Sequence, residues 1–237
     1  MRKFIFLLFV LFFALPLSAQ LDSVFWFVAP EVCHGIQPNI YDSPIKLNIS
    51  SFSNNPVNIT ISQPANSSFI PIVDIIPANG YLTIDLTSRI NMIENQPANS
   101  ILPYGLLIQT TGLVNIYYEI NMTGDNPEIY SLKGKNALGT NFMVPGQTNF
   151  DNGVASGFSP QPLNRIDIVA VRDSTMVTIT PSKNISGHVA NVPFIVQLNK
   201  GETYSCVAVN HLSSNHLEGT NISSNYPIAV TDRKSVV

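Results

Sequence analysis

Residues 47–61 read LNISSFSNNPVNITI, in which apolar side chains alternate with Asn, Ser and Thr. A period of two places one face of a strand in a core and the other in water, which is typical of antiparallel sheets. The NNP at residues 54–56 is a turn signal, so we expect a hairpin here. The PANG at residues 77–80 predicts a second hairpin, between residues 69–76 and 81–86.

The same order of elements recurs later in the chain. Residues 166–181 read IDIVAVRDSTMVTITP, again two runs around a turn, and the NKGE at residues 199–202 repeats the later turn. A repeated strand order predicts a repeated unit. We therefore expect an all-β, antiparallel fold of two tandem β-sandwich-like repeats. A propeller-like arrangement of the same strands is the alternative. Residues 87–99 are the one plausible short helix.

The N-terminus predicts export. Arg2 and Lys3 precede an unbroken apolar run at residues 4–15, followed by a small residue, Ala19. This is the pattern of a cleaved signal peptide, and the run is short for a membrane span. We expect residues 1–19 to be removed. The mature chain would then be secreted or on the outer cell surface, and it would not span a membrane.

Four further segments follow the signal peptide. We expect a first β repeat with an N-terminal strand, a connector rich in Gly and Asn, a second β repeat that is incomplete, and a non-native tail. These are residues 20–128, 129–164, 165–231 and 232–237. The tail, DRKSVV, is what a common sequencing adaptor would encode, so we predict that the natural protein continues differently from this point.

Composition excludes one class of partner. The chain has 237 residues, of which 45% are hydrophobic and only 11% are charged, whereas about a quarter are charged in an average globular protein. A net charge of −3 offers no basic surface, so we expect no nucleic-acid partner. Polarity comes from Asn, Ser and Thr instead, which suits exported proteins that meet other surfaces or sugars.

No motif in the sequence predicts a reaction. There is no G-x-S-x-G elbow and no P-loop spacing. A retaining glycosidase needs a close pair of carboxylates, whereas the acidic residues here are scattered over turns and strand edges. We interpret Asp167 and Asp173 as structural. The chain is therefore predicted to have no catalytic residues, to be no enzyme and to need no cofactor.

Cys33 and Cys206 are the only cysteines. In an exported chain they could form a disulfide, and the alternative is two unrelated buried thiols. A zinc site could also be assembled from these two with His34, His211 and His216. That interpretation is disfavoured because the spacing matches no compact zinc pattern.

Asp125 and Asp151 are weak candidates for calcium ligands, because each lies in an acidic turn. Neither turn fits the D-x-[DN]-x-[DN]-G loop that spaces ligands around one ion. Turns of this composition most often have no ligand. We therefore predict no metal site.

Four tyrosines could stack on sugar rings. They are Tyr104, Tyr117, Tyr118 and Tyr130. Successive side chains of a strand point to opposite faces, so one of Tyr117 and Tyr118 is expected in the core.

Several segments resemble a known family. They are FWFVAP at residues 25–30, LKGKNALGTNFMV at 132–144, RIDIVAVRDSTMVTITP at 165–181 and GTNISSNYPIAV at 219–230. Together they resemble the N-terminal domain of IgGFc-binding proteins, and more closely its bacterial versions in large surface proteins of gliding, Bacteroidetes-like organisms. The resemblance covers nearly all of residues 25–231. It implies a secreted β-rich module at the front of a longer protein. The immunoglobulin binding of animal members is not carried over, because no binding residues map onto this chain.

Together these observations predict an extracellular, non-enzymatic adhesion or structural module at the N-terminus of a larger secreted or cell-surface protein. Its ligand would be a surface protein or a glycan. The alternative is a carbohydrate-binding module of a larger secreted enzyme.

Overall fold

The computed structural model describes residues 21–33, 35–36, 39–40, 42–120, 128–153 and 161–233. Within them the fold is all-β, as predicted. Two antiparallel sheets, each barrel-like or half-barrel, form two sandwich-like units. The predicted signal peptide lies outside the described residues. No helix among the residues that the structure describes is long and apolar enough to cross a membrane.

The first unit is built on a seven-stranded sheet, with a separate small strand pair, β2 and β3. In chain order its strands are β1 (Asp22–Phe27), β2 (Gly35–Ile36), β3 (Asn39–Ile40), β4 (Ile45–Ser51), β5 (Val57–Ser62), β6 (Ile72–Ile76), β7 (Tyr81–Asp85), β8 (Leu106–Ile120) and β9 (Glu128–Leu132). A 3-10 turn at Thr87–Arg89 leads into a single helical turn, α1 (Ile90–Ile93). The predicted helix is thus present but ends early, because Glu94 has extended backbone angles.

The second unit is a six-stranded sheet. Its strands are β10 (Gly139–Met143), β11 (Arg165–Ala170), β12 (Thr175–Thr180), β13 (Phe194–Leu198), β14 (Thr203–Val207) and β15 (Asn221–Arg233). All residues of β11 are buried, because this strand is covered on both faces. Two 3-10 turns, Gly134–Ala137 and Ser213–Asn215, lie outside the strands.

One long strand organises each unit. The first half of β8 pairs with β1 and β5, and its second half pairs with β4 and β9. Likewise, the first half of β15 pairs with β10 and β12, and its second half pairs with β11. The strand orders β6-β5-β8-β4-β7 and β13-β12-β15-β11-β14 are equivalent. The tandem repeat predicted from the sequence is therefore confirmed.

The two predicted hairpins of the first unit are wrong. Both β4 and β5 are antiparallel to β8, so they run parallel to each other, and residues 54–56 only connect them. Similarly, β6 pairs with β5 and β7 pairs with β4, so residues 77–80 close no hairpin. The two turns meet instead, where Asn79 N donates to Ser53 O at 2.8 Å. A turn signal marks where one strand ends and the next begins, but it does not decide whether those two strands pair with each other.

The stretch predicted as a connector contains two strands of the sheets. β9 pairs with the first sheet and β10 with the second. The second repeat was predicted to end at residue 231, whereas its last strand, β15, extends to Arg233, which pairs with Arg165. What the second unit lacks among the described residues is a counterpart of β9. The non-native origin of residues 232–237 stays a prediction; Asp232 and Arg233 form the end of β15, and residues 234–237 lie outside the described part.

Each unit has its own apolar core, and the two cores are joined by a third, smaller cluster. Val28 of the first unit packs there with Val169 and Ala229 of the second, and Trp26 and Leu138 lie against them. The units are therefore in direct apolar contact, since buried area of this kind stabilises association.

A buried arginine ties the two units together. Arg165 is only 3% exposed. Its Nη1 donates to Glu31 Oε2 at 2.8 Å, and its Nη2 donates to the Asn95 carbonyl oxygen and to Ser205 Oγ, each at 2.8 Å. Its Nε donates to Asp167 Oδ2 at 3.1 Å. One guanidinium thus contacts acceptors from both units.

Asn95 completes this network from the first unit. It is fully buried. Its Nδ2 donates to Asp167 Oδ1 at 2.8 Å, and its Oδ1 accepts from Thr203 Oγ1 at 2.7 Å. Burial raises the pKa of Asp167, while Arg165 opposes that shift. Buried polar groups are tolerated only with such partners.

The backbones of the two units also meet directly. Leu102, in the loop before β8, exchanges hydrogen bonds with Thr203 of β14, at 3.0 and 2.7 Å. At Gly105 the contact is closer still, because a Cβ there would lie 2.7 Å from the Gly201 carbonyl oxygen. The relative position of the units is therefore fixed by close packing as well as by charge.

We expect Arg165→Ala to lower the free energy of unfolding by about 3–5 kcal/mol, because it leaves Asp167 and Glu31 without their cation. Urea denaturation measures this. The matched control is Arg172→Ala, which removes an exposed arginine that lies 5.3 Å from the Tyr226 ring and should cost less than about 1 kcal/mol. Equal losses from both substitutions would contradict the assigned role of Arg165.

Glu94 makes the stability of the fold depend on pH. Its pKa is raised to about 8, mainly because burial removes water from the carboxylate, and Asp42 and Glu31 add repulsion. The folded state therefore keeps a proton that the unfolded chain releases near pH 4.5. Stability from this group is complete below that pH and is lost as the pH rises towards 8.

We expect the free energy of unfolding to fall between pH 5 and pH 8, with Glu94 contributing up to roughly 4 kcal/mol of the change. Glu94→Gln should remove that part of the slope. A smaller slope of the same sign should remain, because the pKa of Asp232 is raised to about 7. Denaturation curves at both pH values check this, with Asp74→Asn on the exposed part of β6 as the control. An unchanged slope in Glu94→Gln would show that Glu94 does not carry it.

Candidate binding groove between the two units

A groove of about 370 Å³ lies where the two units meet. Its volume falls in the range of small-ligand sites in proteins. One wall comes from β1, β9 and the turn after β9, and the other comes from β10 and the second half of β15. Its apolar lining includes Trp26, Phe27, Tyr130, Leu132, Phe142 and Val230.

The first wall is a packed aromatic cluster. Phe27 is buried at the end of β1, where it pairs with Leu106 of β8. Its ring centroid lies 4.8 Å from that of Tyr118 and 6.0 Å from that of Tyr130. Tilted aromatic contacts at these separations are favourable. They hold this wall in place, while Trp26 beside Phe27 remains partly exposed.

An ion pair between the units lies next to this wall. Glu128 Oε2 accepts from the Tyr130 hydroxyl at 3.0 Å and from Arg233 Nε at 2.6 Å. Arg233 Nη1 also donates to the Glu31 carbonyl oxygen at 2.9 Å. Burial raises the pKa of Tyr130 well above its ordinary value, and Glu128 adds to the shift. Tyr130 is therefore a neutral hydrogen-bond donor at physiological pH.

The two cysteines lie in different surroundings. Cys206 belongs to the core of the second unit, and burial raises the pKa of its thiol. Cys33 lines a cavity of about 70 Å³ together with Ala98 and Val207. The two sulfur atoms are not joined in a disulfide in the structure. The disulfide between them stays a prediction.

The predicted metal candidates that the structure describes are not brought together. Asp151 is exposed, and its Oδ1 accepts from the backbone N–H of Ser213, which lies far along the chain, at 2.6 Å. Asp125 and His34 lie outside the described residues. His216 is buried, with Nδ1 2.8 Å from the Gln147 carbonyl oxygen. Over the described ranges there is no group of three His, Cys, Asp or Glu residues that could hold a metal ion.

Of the four predicted tyrosines, one is buried and three are partly exposed. Tyr118 is fully buried, so one of the Tyr117 and Tyr118 pair is in the core, as expected. Tyr130 lines the groove. Tyr104 is not among the lining residues of the groove, and its carbonyl oxygen accepts a hydrogen bond from Gln63 Nε2 at 3.1 Å.

Sequence reasoning missed the other aromatic residues of the groove, Trp26, Phe27 and Phe142. Their signal was present in the segments FWFVAP and NFMV, where aromatic residues stand in short strands. Pattern alone could not place them in a groove, because Trp26 and Phe27 belong to β1 of the first unit and Phe142 belongs to β10 of the second.

Residues 130–236 match the family model described as IgGFc binding protein. The match covers the second unit and most of β9, so the resemblance is supported over that part of the chain. No curated protein matches the chain. A plant-virus structure, titled "Cryo-EM Atomic Structure of Broad Bean Stain Virus (BBSV)", matches with a TM-score of 0.22 and 9% identity over 94% of each chain. A likeness this low carries no argument.

Proposed function

We propose that this chain is an extracellular, non-enzymatic adhesion or structural module at the N-terminus of a larger secreted or cell-surface protein. The match of residues 130–236 to a family described as IgGFc binding protein carries the proposal. The assignment to the bacterial surface-protein version is part of it and is supported by the sequence segments alone.

Export is supported by the apolar run at residues 4–15 and by the low content of charged residues. A non-enzymatic role is supported by the ion pairs that the charged side chains form at the interface between the units. Arg165 and Asp167 are buried against each other, and Arg233 is paired with Glu128. These side chains hold the units together, so they do not face a substrate.

A binding role is supported by the groove, which joins a rigid aromatic wall to a strand edge. The proposed ligand is a surface protein or a glycan. The second candidate is a carbohydrate-binding module of a larger secreted enzyme. Trp26 and Tyr130 favour it, because partly exposed aromatic rings in a groove offer apolar platforms with polar edges.

Arrays of surface proteins and of glycans, probed with the folded chain, separate these candidates. Binding to protein targets without specific sugar binding supports an adhesion module. Specific sugar binding in the micromolar range supports the carbohydrate-binding module and contradicts the first proposal.

Trp26 gives a direct readout, since it is the only tryptophan in the chain and it lines the groove. We expect a ligand in the groove to change its fluorescence. Truncating a central aromatic of a binding site costs about 2 kcal/mol or more, so Trp26→Ala should weaken binding at least about tenfold. Phe52→Ala, which removes a 71% exposed ring outside the groove, should leave binding unchanged. Equal affinity of the two variants for a ligand found on the arrays would place the site elsewhere.

A further inference from the structure

An open cleft of about 450 Å³ lies at the end of the second unit where β11 leads into β12. Its volume is within the range of small-ligand sites. The lining residues are Val171, Arg172, Asp173, Lys200 and Tyr226. None of them lines the groove between the units, and none lies in the predicted non-native tail. The cleft is therefore a separate feature of the molecule.

Two turns and one strand form the cleft. Arg172 and Asp173 lie in the turn between β11 and β12, and Lys200 lies in the turn between β13 and β14. The backbone N–H of Lys200 donates to Asp173 Oδ1 at 2.9 Å, which joins the two turns. Tyr226 lies where β15 leaves β12 and begins to pair with β11. Beside it, Asn225 Nδ2 donates to a carbonyl oxygen of the first turn at 3.2 Å.

The cleft contains two cations that no carboxylate neutralises. Neither Arg172 nor Lys200 forms an ion pair with a residue that the structure describes. Arg172 lies over the ring of Tyr226, with its Cζ 5.3 Å from the ring centroid, and this tyrosine is 37% exposed. The ring holds the guanidinium in place without removing its charge. Both cations can therefore contact an anionic ligand.

The first unit forms the same pair of turns without charge or an aromatic ring. The pairing of β4 with β7 and β8, and of β11 with β14 and β15, shows which residues are equivalent. The counterparts of Arg172, Lys200 and Tyr226 are small and uncharged: Ser53, Ala78 and Gly112. The fold therefore does not require the cations or the ring at this end of a unit, and they can serve a ligand.

The groups in the cleft select the ligand. Arg172 and Lys200 suit a carboxylate or a sulfate group, because hydrogen bonds between charged partners are stronger than neutral ones. The carboxylate of Asp173 accepts hydrogen bonds, which the hydroxyl groups of a sugar can donate. The exposed ring of Tyr226 adds an apolar surface beside them. A saccharide that carries an anionic group matches all of these features.

An acidic peptide fits the cleft less well. The two strands that lead into it, β11 and β12, are each paired on both edges, so a peptide cannot add here as a strand. A segment rich in Asp and Glu would also bring several carboxylates close to Asp173, and like charges repel. An acidic sugar brings one anionic group together with hydroxyl donors.

We infer that this cleft binds an acidic saccharide of a surface glycan, one that carries a carboxylate or a sulfate group. Arg172 and Lys200 hold the anionic group. Asp173 accepts a hydrogen bond from a hydroxyl group, and Tyr226 contacts the sugar ring.

The open position of the cleft sets the affinity. Ion pairs that water surrounds are weak, so a single sugar should bind with a dissociation constant in the millimolar range. This is weaker than the micromolar sugar binding that would identify a carbohydrate-binding module. The inference therefore goes beyond the proposed adhesion function and is compatible with it.

Three sugars with the same core test the role of the anionic group. Sialyllactose carries a carboxylate, sulfated lactose carries a sulfate, and lactose carries neither. NMR titrations of the folded chain measure binding, and the backbone amide of Lys200 reports on the cleft. We expect an acidic sugar to bind and lactose to bind at least about tenfold more weakly. The tighter of the two acidic sugars identifies the anionic group.

Substitutions in the chain test the cations. Arg172→Ala and Lys200→Ala should each weaken binding of the acidic sugar about fivefold. The matched control is Lys183→Ala, which removes a lysine beyond the other end of β12 and should leave binding unchanged. Trp26→Ala should also leave it unchanged, because Trp26 lines the groove. Circular dichroism checks that each variant is folded.

Four results would overturn the inference. The first is equal binding of lactose and the acidic sugars, and the second is acidic-sugar binding that Arg172→Ala and Lys200→Ala leave unchanged. Equal binding of inorganic sulfate would make the cleft a site for simple anions. Binding of a tetraglutamate peptide as tightly as the acidic sugar would assign the cleft to an acidic protein segment.

The proposed function and this inference fail separately. Acidic-sugar binding at the cleft without any protein target on the arrays would leave the inference standing and remove the adhesion function. A protein target on the arrays, with no binding of either acidic sugar, would leave the adhesion function standing and remove the inference.

Discussion

The Arg165 guanidinium is the contact on which the placement of the two units depends. It donates to Glu31 and Asn95 of the first unit and to Asp167 and Ser205 of the second. A buried cation is tolerated only when its donors are satisfied, so few relative positions of the units are compatible with it. The groove follows from this constraint, because its two walls belong to different units.

The strand pairing around β8 and β15 explains why the groove is open on one side. Each unit is organised by a long strand that serves two sets of partners, and in β8 both edges of the second half are occupied. In β15 one edge of the second half faces the groove. The groove thus lies where the internal repeat loses its symmetry within the described residues.

Only part of the candidate site could be predicted from the sequence. Tyr130 was found as an aromatic residue able to contact a ligand, and the alternation of Tyr117 and Tyr118 correctly placed one of them in the core. Trp26 and Phe142 were missed, because a strand pattern shows which face a side chain takes but not which element covers that face. Ion pairs such as Glu128 with Arg233 join residues that are far apart in the chain, so no local sequence pattern predicts them.

The alternating runs at residues 47–61 and 166–181 by themselves determined an all-β fold of two repeated units, because a period of two is a property of consecutive residues. They could not determine strand partners, and the hairpins predicted at the first-unit turns were wrong for that reason. The tertiary structure decided that β4 and β5 share β8, that Arg165 joins the units and that a groove lies between them. These are contacts between residues far apart in the chain, where geometry and burial rather than local pattern select the partner.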